Sequence, residues 1–481
     1  MRRTKIVVTL GPASEGPGTI AALVRAGMDV ARLNFSHGTA EWHRRAIRRV
    51  RAAARAAGRP VAVLQDLAGP KLRTGSAPES GVELATGSAV RVAPRAVRST
   101  PGRIGVSHPG LLRDVRPGQR VLLADGQLEL LVRARRGGEL VCRVVRGGAL
   151  GSRKGVNLPG ARLRLSAFTR KDRRDLALGL DAGVDAVALS FVRSAAEVSA
   201  ARRAVEASSP GTPVLAKIET PEAVDAVEEI LEVADGLLVA RGDLGVETPL
   251  ERVPFLQKKL IAAANARDKL VVTATEMLES MVERSRPTRA EVSDVANAVL
   301  DGTDAIMLSA ETSIGRDPVR ATRAAARIVE AADREAANAF APAAGGIGQG
   351  PASGELDAIG LGAERIAREL GAAVIVVATV SGATARFVSK SRSAAPVLAL
   401  TPDARAFRRC ALYRGVAPVR TRTFRSRAAL RREALRAARA AGARAGDRVL
   451  FLSGTPLGRS GHTDTLQVLT VGGRARRARR G

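Results

Sequence analysis

The chain has 481 residues, 45% of them hydrophobic, and carries 77 Lys plus Arg against 47 Asp plus Glu for a net charge of +30. That length calls for about two or three domains with full cores, while apolar runs such as IVVTL at 6–10 fall far short of the ~20 residues of a membrane helix, so no bilayer span is expected. Cys142 and Cys410 are too far apart in sequence for a disulfide framework or zinc knuckle, which suits a reducing cytoplasm, and 2% aromatics leave no stacking platform for specific nucleic-acid recognition.

The arginine excess, dense at 425–447 and in the tail 474–480, reads as a solvated basic surface that attracts polyanions at low salt. The opening MRRTKIVVTLGPAS puts basic residues before an apolar run, but that run is shorter than a secretory h-region and reads as a first strand. Apolar, β-branched runs then recur with amphipathic stretches between them: KIVVTL at 5–10, DVARLNF at 29–35, PVAVLQD at 60–66, VDAVALS at 184–190, PVLAKIE at 213–219, GLLVARGD at 236–243, LVVTAT at 270–275 and DAIMLSAE at 304–311. Alternation of this kind predicts a parallel sheet, and eight repeats are the number that closes a (β/α)8 barrel. Nearly every run ends in a polar residue, and in this fold those ends converge on one mouth at the C-terminal face.

Between the third and fourth runs, residues 74–153 show short strands and turns without helical periodicity, which predicts a small inserted β-barrel lid beside the mouth. The predicted domains are a barrel over 1–73 and 154–344, the lid over 74–153, and a C-terminal open α/β domain over 345–481 that begins with the Gly-rich linker 345–354. In that last domain TVSGAT at 379–384 lies between a strand and a helix, where backbone amides suit a phosphate and small hydroxyls equally suit a helix cap.

The densest chemistry lies at 214–247. Lys217 and Glu219 are two apart and share one strand face, and Asp243 follows one βα unit later, so the two carboxylates can ligate a hard divalent cation such as magnesium beside an ammonium. That set suits a phosphorylated anion; a simple ion pair at the rim of the sheet is the other reading.

Taken together, TKIVVTLGPAS, MDVARLNFSHG, GPKLRTG, KGVNLPG, LSFVR, LAKIET, ARGDLGVE, TATEMLESM, RPTRAEVSDVANAVLDGTDAIMLSAET and SKSRSAAPVLALTP resemble the pyruvate kinase family, in order and over essentially the whole chain. The resemblance implies phosphoryl transfer from phosphoenolpyruvate to ADP with Mg2+ (or Mn2+), in a cytoplasmic homotetramer of glycolysis with allosteric control. It implies that Lys217 and Arg32 face the transferring phosphoryl, that Glu219 and Asp243 hold the metal, and that Thr275 lies by the enolate carbon. It further implies that Gly242 and its neighbours in Ala240–Asp243 offer amides to the substrate carboxylate, and that Asn34, Arg73 and Lys154 contact the nucleotide. Thr379, Ser381 and Thr384 resemble an effector phosphate loop, although 455–465 does not name its ligand. A magnesium-dependent lyase or aldolase acting on pyruvate or an oxaloacetate-like acid is the alternative, but it has no use for a lid with nucleotide contacts.

Two departures stand out. Glu276 replaces the Gln of many relatives beside Thr275. The monovalent-cation pocket corresponds to Asn34, Ser36, Asp66 and the carbonyl of Leu67, and Lys71 stands where potassium-dependent relatives carry a Glu, with Leu67 in place of their Thr. A unit charge ~5.5 Å from the phosphoryl at an effective dielectric near ~20 contributes about 3 kcal/mol, roughly 100-fold in rate. Lys71 is therefore expected to substitute for K+, which the enzyme would not require.

Overall fold

The computed structural model describes residues 2–161, 163–339, 355–424, 426–457 and 463–472; the expected linker 345–354, the basic tail 474–480 and the middle of 455–465 lie outside them. Eight parallel strands form a closed barrel: β1 (Lys5–Thr9), β2 (Val30–Asn34), β3 (Ala62–Asp66), β4 (Ala186–Leu189), β5 (Val214–Ile218), β6 (Gly236–Ala240), β7 (Leu270–Ala274) and β8 (Ala305–Leu308), with β8 pairing back onto β1. All eight expected strands are present. Their near-continuous apolar runs reflect burial on both faces. Side chains alternate: Ile6, Val8, Val63 and Val187 pack outward under the helices, whereas Val7, Val30, Leu64, Ala188, Leu215, Leu238 and Val272 fill the interior.

The surrounding helices follow from periodicity. Helix Ala40–Ala56 buries His43, Ala46, Ile47, Val50 and Ala53 on one stripe, and its first turn is capped by Thr39, whose hydroxyl accepts from Trp42 N. Run six differs from expectation, because its strand ends at Ala240 and Arg241–Glu247 form a short helix, which places Asp243 in a first helical turn and not on a strand. Glu219 and Thr275 similarly lie one residue beyond β5 and β7.

The excursion after β3 contains a six-stranded sheet and the two-stranded pair Val82–Leu84 with Gly148–Leu150, which share one apolar core as a partly closed small barrel. The C-terminal part holds a five-stranded sheet, four strands parallel and Thr465–Thr470 antiparallel at one edge.

Four aspartates stand at the N-terminal ends of alternate strands, and each accepts a backbone N–H from the preceding strand: Asp29 from Ile6, Asp185 from Val63, Asp235 from Val214 and Asp304 from Val271. The C-terminal part docks onto this rim with cations. Lys390 Nζ lies 2.8 Å from Asp304, Arg408 is 2.8 Å from Asp185 and Arg414 is 3.1 Å from Asp333. The basic excess is therefore not all solvated surface: Lys390, Arg409 and Arg414 are buried.

Burial pushes Lys390 down to about 8 from 10.5, against the pull of Asp304. Between those values the unfolded chain binds more protons than the folded one, so this group makes stability rise with pH across that window. Lys390→Met is expected to remove that rise and, near neutral pH, to lower stability by about 3 kcal/mol, because Asp304 loses its ammonium while buried. Urea unfolding at neutral and alkaline pH measures both effects.

Candidate active site

The mouth of the barrel is made by continuing the inward-facing positions one step past the apolar interior. After Val7, Val30, Leu64, Ala188 and Leu215, the next inward residues are Thr9, Arg32, Asp66, Ser190 and Lys217, all of them buried. They form one network. Arg32 meets Asp66 at 2.6 Å and donates to Thr9 Oγ1 at 2.9 Å. Lys217 Nζ donates to Ser190 Oγ at 2.7 Å and lies 3.0 Å from Glu219 Oε1 and 3.3 Å from Asp66 Oδ1. Ser190 in turn donates to Asp66 at 3.3 Å.

Electrostatics fix the charge states. Burial alone would pull Lys217 down, but Asp66 and Glu219 outweigh it and its pKa is raised, so it is a permanent cation at neutral pH. Burial also opposes ionisation of Asp66, yet Lys217 and Arg32 bring its carboxyl below the usual range. Glu219 differs: burial raises it, Asp243 raises it further, and Lys217 only partly compensates. Two carboxylates that repel each other beside a dry wall are suited to a divalent ion. Among the described residues no three His, Cys, Asp or Glu side chains group to hold a metal, so Glu219 and Asp243 are a pair that could hold one only together with other ligands.

Thr275 carries the conformational strain. Its φ of +67° is unusual for a β-branched residue, and Glu276 follows at +53°. Buried Arg241 holds this turn, donating to the carbonyl of Thr275 at 2.8 Å and of Glu276 at 3.0 Å while pairing with Asp294 at 2.6 Å. Thr275 Oγ1 accepts from Gly242 N at 2.7 Å, so that amide, expected to face a substrate carboxylate, is engaged within the protein here. The Glu276 side chain is exposed and points no buried charge into the network.

The positions expected to contact nucleotide separate into two groups. Arg73 and Lys154 meet where the two connections to the lid run side by side: Arg73 bridges Gly155, and Thr74 N donates to the carbonyl of Lys154 at 2.8 Å. Asn34 ends β2, where its side chain accepts from Ser36 N at 3.0 Å. Leu67 is buried just past β3. Lys71 is exposed and, with Asn157, Glu222, Asp243 and Glu247, lines a cleft of about 650 Å3 between barrel and lid. Lys71, Arg73 and Arg32 also lower His37, after burial, which marks the mouth as electropositive.

Sequence reasoning missed Ser190 as a site residue, although it was visible as one of the polar strand ends. It also missed Asn157, whose amide donates to Glu247 at 2.8 Å and ties the lid connection to the barrel; burial pushes that carboxyl up to about 7. In the C-terminal part, Thr379, Ser381 and Thr384 line one cleft of about 630 Å3. Gly382 N donates to Thr379 Oγ1 at 2.9 Å, and Thr384 Oγ1 bonds Thr463 Oγ1 at 2.7 Å. The helix Ala383–Lys390 starts at Gly382, which has no capping side chain.

The barrel-domain family model of pyruvate kinase matches residues 1–322, and the pyruvate kinase alpha/beta-domain model matches 357–469. Pyruvate kinase 2 of Synechocystis sp. is 44% identical over 98% of this chain and 79% of its own length. Pyruvate kinase of Geobacillus stearothermophilus is 44% identical over 98% of the chain and 80% of its own, and that of Staphylococcus saprophyticus 42% over 98% and 81%.

Thr275→Val keeps the branched shape but leaves the Gly242 amide without its acceptor, which costs about 1–3 kcal/mol when the group stays unpaired. Turnover is expected to fall roughly tenfold or more, and Thr275→Ser to recover most of it; steady-state kinetics of the two variants decides.

Proposed function

The chain belongs to the pyruvate kinase family and is a phosphotransferase that carries the phosphoryl group of phosphoenolpyruvate to ADP, and we propose that Lys217, Arg32 and the pair Glu219 and Asp243 run the transfer. The observation that carries this division of roles is the convergence of Arg32 and Lys217 on Asp66, with Lys217 also on Glu219, at the inner edge of the barrel. Phosphoryl transfer is mainly positioning and neutralisation of charge on the moving group. Arg32 and Lys217 are held on rigid strands by Asp66, Thr9 and Ser190, so they meet the phosphoryl without reorganising. Lys217 acts as a fixed charge and not as a proton donor, in keeping with its raised pKa.

Glu219 and Asp243 would hold magnesium, with manganese as a substitute; when bound, the ion supplies further neutralisation of the substrate's oxygens. Thr275 positions the Gly242 turn beside the substrate, and water at its hydroxyl protonates the enolate carbon. Arg73, Lys154 and Asn34 receive the phosphates of ADP under the lid. The working division is barrel (1–73 and 154–344), lid (74–153) and C-terminal regulatory part (345–481), in a cytoplasmic homotetramer with a phosphorylated effector at Thr379, Ser381 and Thr384.

The monovalent ion is replaced by Lys71. Both oxygens of Asp66 already face cations, Arg32 on one side and Lys217 on the other, so this pocket has little charge left for potassium. Lys71 shares the cleft with Asp243.

A coupled assay for pyruvate is expected to require both phosphoenolpyruvate and ADP. Lys217→Met should lose ~10² to 10³ or more in turnover while phosphoenolpyruvate binding weakens less, since a preorganised charge acts mainly on the transition state; wild-type turnover in that variant would remove Lys217 from the mechanism. In tetramethylammonium buffer with magnesium and neither potassium nor sodium, activity is expected to stay close to maximal, and Lys71→Glu to create potassium activation. Strong potassium activation of the unaltered enzyme would overturn the Lys71 assignment.

A further inference from the structure

A second cleft, of about 570 Å3 including its open side, lies where the segment leading into β1 meets the C-terminal part, and it shares no lining residue with the cleft at the mouth or with that of the Thr379–Thr384 loop. Its walls carry Arg2, Arg3, Arg392 and Arg414 with the hydroxyl residues Ser389 and Ser393. Lys5 and Lys390 are buried in the same junction.

The carboxylates available there are already committed. Asp29 takes Arg2 at 2.6 Å and Ile6 N at 2.9 Å. Asp333 takes Arg3 N, Thr4 N and Thr4 Oγ1 at 2.7, 2.9 and 2.8 Å, and Arg414 at 3.1 Å. Asp304 takes Lys390 at 2.8 Å and Val271 N at 2.9 Å, while Arg392 approaches at 3.1 Å without hydrogen-bond alignment. Positive charge is left over. Among the described residues the Arg3 guanidinium is held only by the carbonyl of Ala394, at 2.7 Å, and Arg392, whose Nη2 donates to Asn265 Oδ1 at 2.7 Å and to the Gly302 carbonyl at 2.6 Å, has Nε and Nη1 shielded from solvent and unpartnered. Burial followed by repulsion from Arg414 also lowers Arg3. Guanidinium groups in surplus around a partly dry cleft are a standing electrostatic cost that an anion of matching shape removes, and the planar fork of arginine fits phosphate oxygens.

We propose that this junction is a binding site for a phosphate dianion, either inorganic phosphate or the phosphate of a small phosphomonoester, held chiefly by Arg3 with the hydroxyl of Ser393. Such a ligand touches residues of the barrel side and of the C-terminal part at once, so its binding strengthens the docking of one on the other.

Isothermal titration of the full-length protein at constant ionic strength, with inorganic phosphate, a hexose 6-phosphate and a nucleoside 5′-monophosphate as probes, tests the site. At least one probe is expected to bind saturably. Arg3→Gln, which removes one charge-assisted contact at a half-buried position, is expected to weaken that binding about tenfold or more, with circular dichroism and basal turnover unchanged. Ser381→Ala and Thr384→Val, in the other cleft, are expected to leave this binding unaltered. Equal affinity for inorganic phosphate and both esters assigns the site to free phosphate; at least tenfold preference for one ester assigns it to that ester class. Absence of saturable binding by every probe, unchanged affinity in Arg3→Gln, or loss through the Ser381 and Thr384 variants alone would overturn the proposal.

Discussion

The four aspartates at the start of β2, β4, β6 and β8 hold the molecule together in two senses. Each accepts the first or second amide of the strand before it, which ties neighbouring strands where the barrel would otherwise present free N–H groups at its lower rim. An ionised aspartate also needs a cation once buried. Arg2 answers Asp29, Arg51 and Arg408 answer Asp185, Arg202 answers Asp235, and Lys390 with Arg392 answers Asp304. Two of the four aspartates are therefore paired by the C-terminal part, and the same carboxylates that register the barrel dictate where that part docks.

The upper rim uses the same strands with the opposite balance. Its inward positions carry Arg32 and Lys217 around a single fully committed carboxylate, Asp66, while Glu219, held by Lys217 and the Phe191 amide, is raised by burial and then by the charge of Asp243. The four lower-rim aspartates each meet a cation, and their work is structural. Upper-rim charges are paired with one another too, but Glu219 is left incompletely compensated, which is the balance that the proposed phosphate and divalent ion would complete. The rim ion-pair reading of Lys217 and Glu219 is thus true as geometry and insufficient as an explanation, because the pair sits within hydrogen-bond reach of Ser190 and of a second acid.

Much of this was legible in the sequence for a physical reason. Barrel strands buried on both faces give unbroken apolar runs, and their polar ends mark the mouth, so Asp66, Lys217 and Glu219 could be placed on one mouth from spacing, whereas Arg32 follows only from the family resemblance. What escaped was chain reversal and docking. ARGDLGVE contains two glycines and reads as the tail of a strand, yet it turns helical after Ala240, with the guanidinium of Arg241 buried against Asp294 and the carbonyls of Thr275 and Glu276. The positive φ of Thr275 has no local signal, since the strain is maintained by a residue 34 positions away. Arg392, Arg409 and Arg414 read as solvated surface because composition cannot tell a cation that meets water from one that meets the carboxylate or hydroxyl of another element.

A net charge of +30 destabilises a compact chain by self-repulsion, yet it raises the local concentration of anions near every cationic cleft. Phosphoenolpyruvate and ADP are both multiply charged anions, so the field that burdens the fold also steers the substrates. The two effects differ in range. Surface arginines act over roughly a Debye length of ~8 Å at physiological salt and are screened beyond it, whereas Arg32 and Lys217 act within a hydrogen bond in a buried site and are barely screened. Salt therefore reaches encounter and long-range repulsion first and is felt least by Arg32 and Lys217, the buried pair proposed for the transfer step.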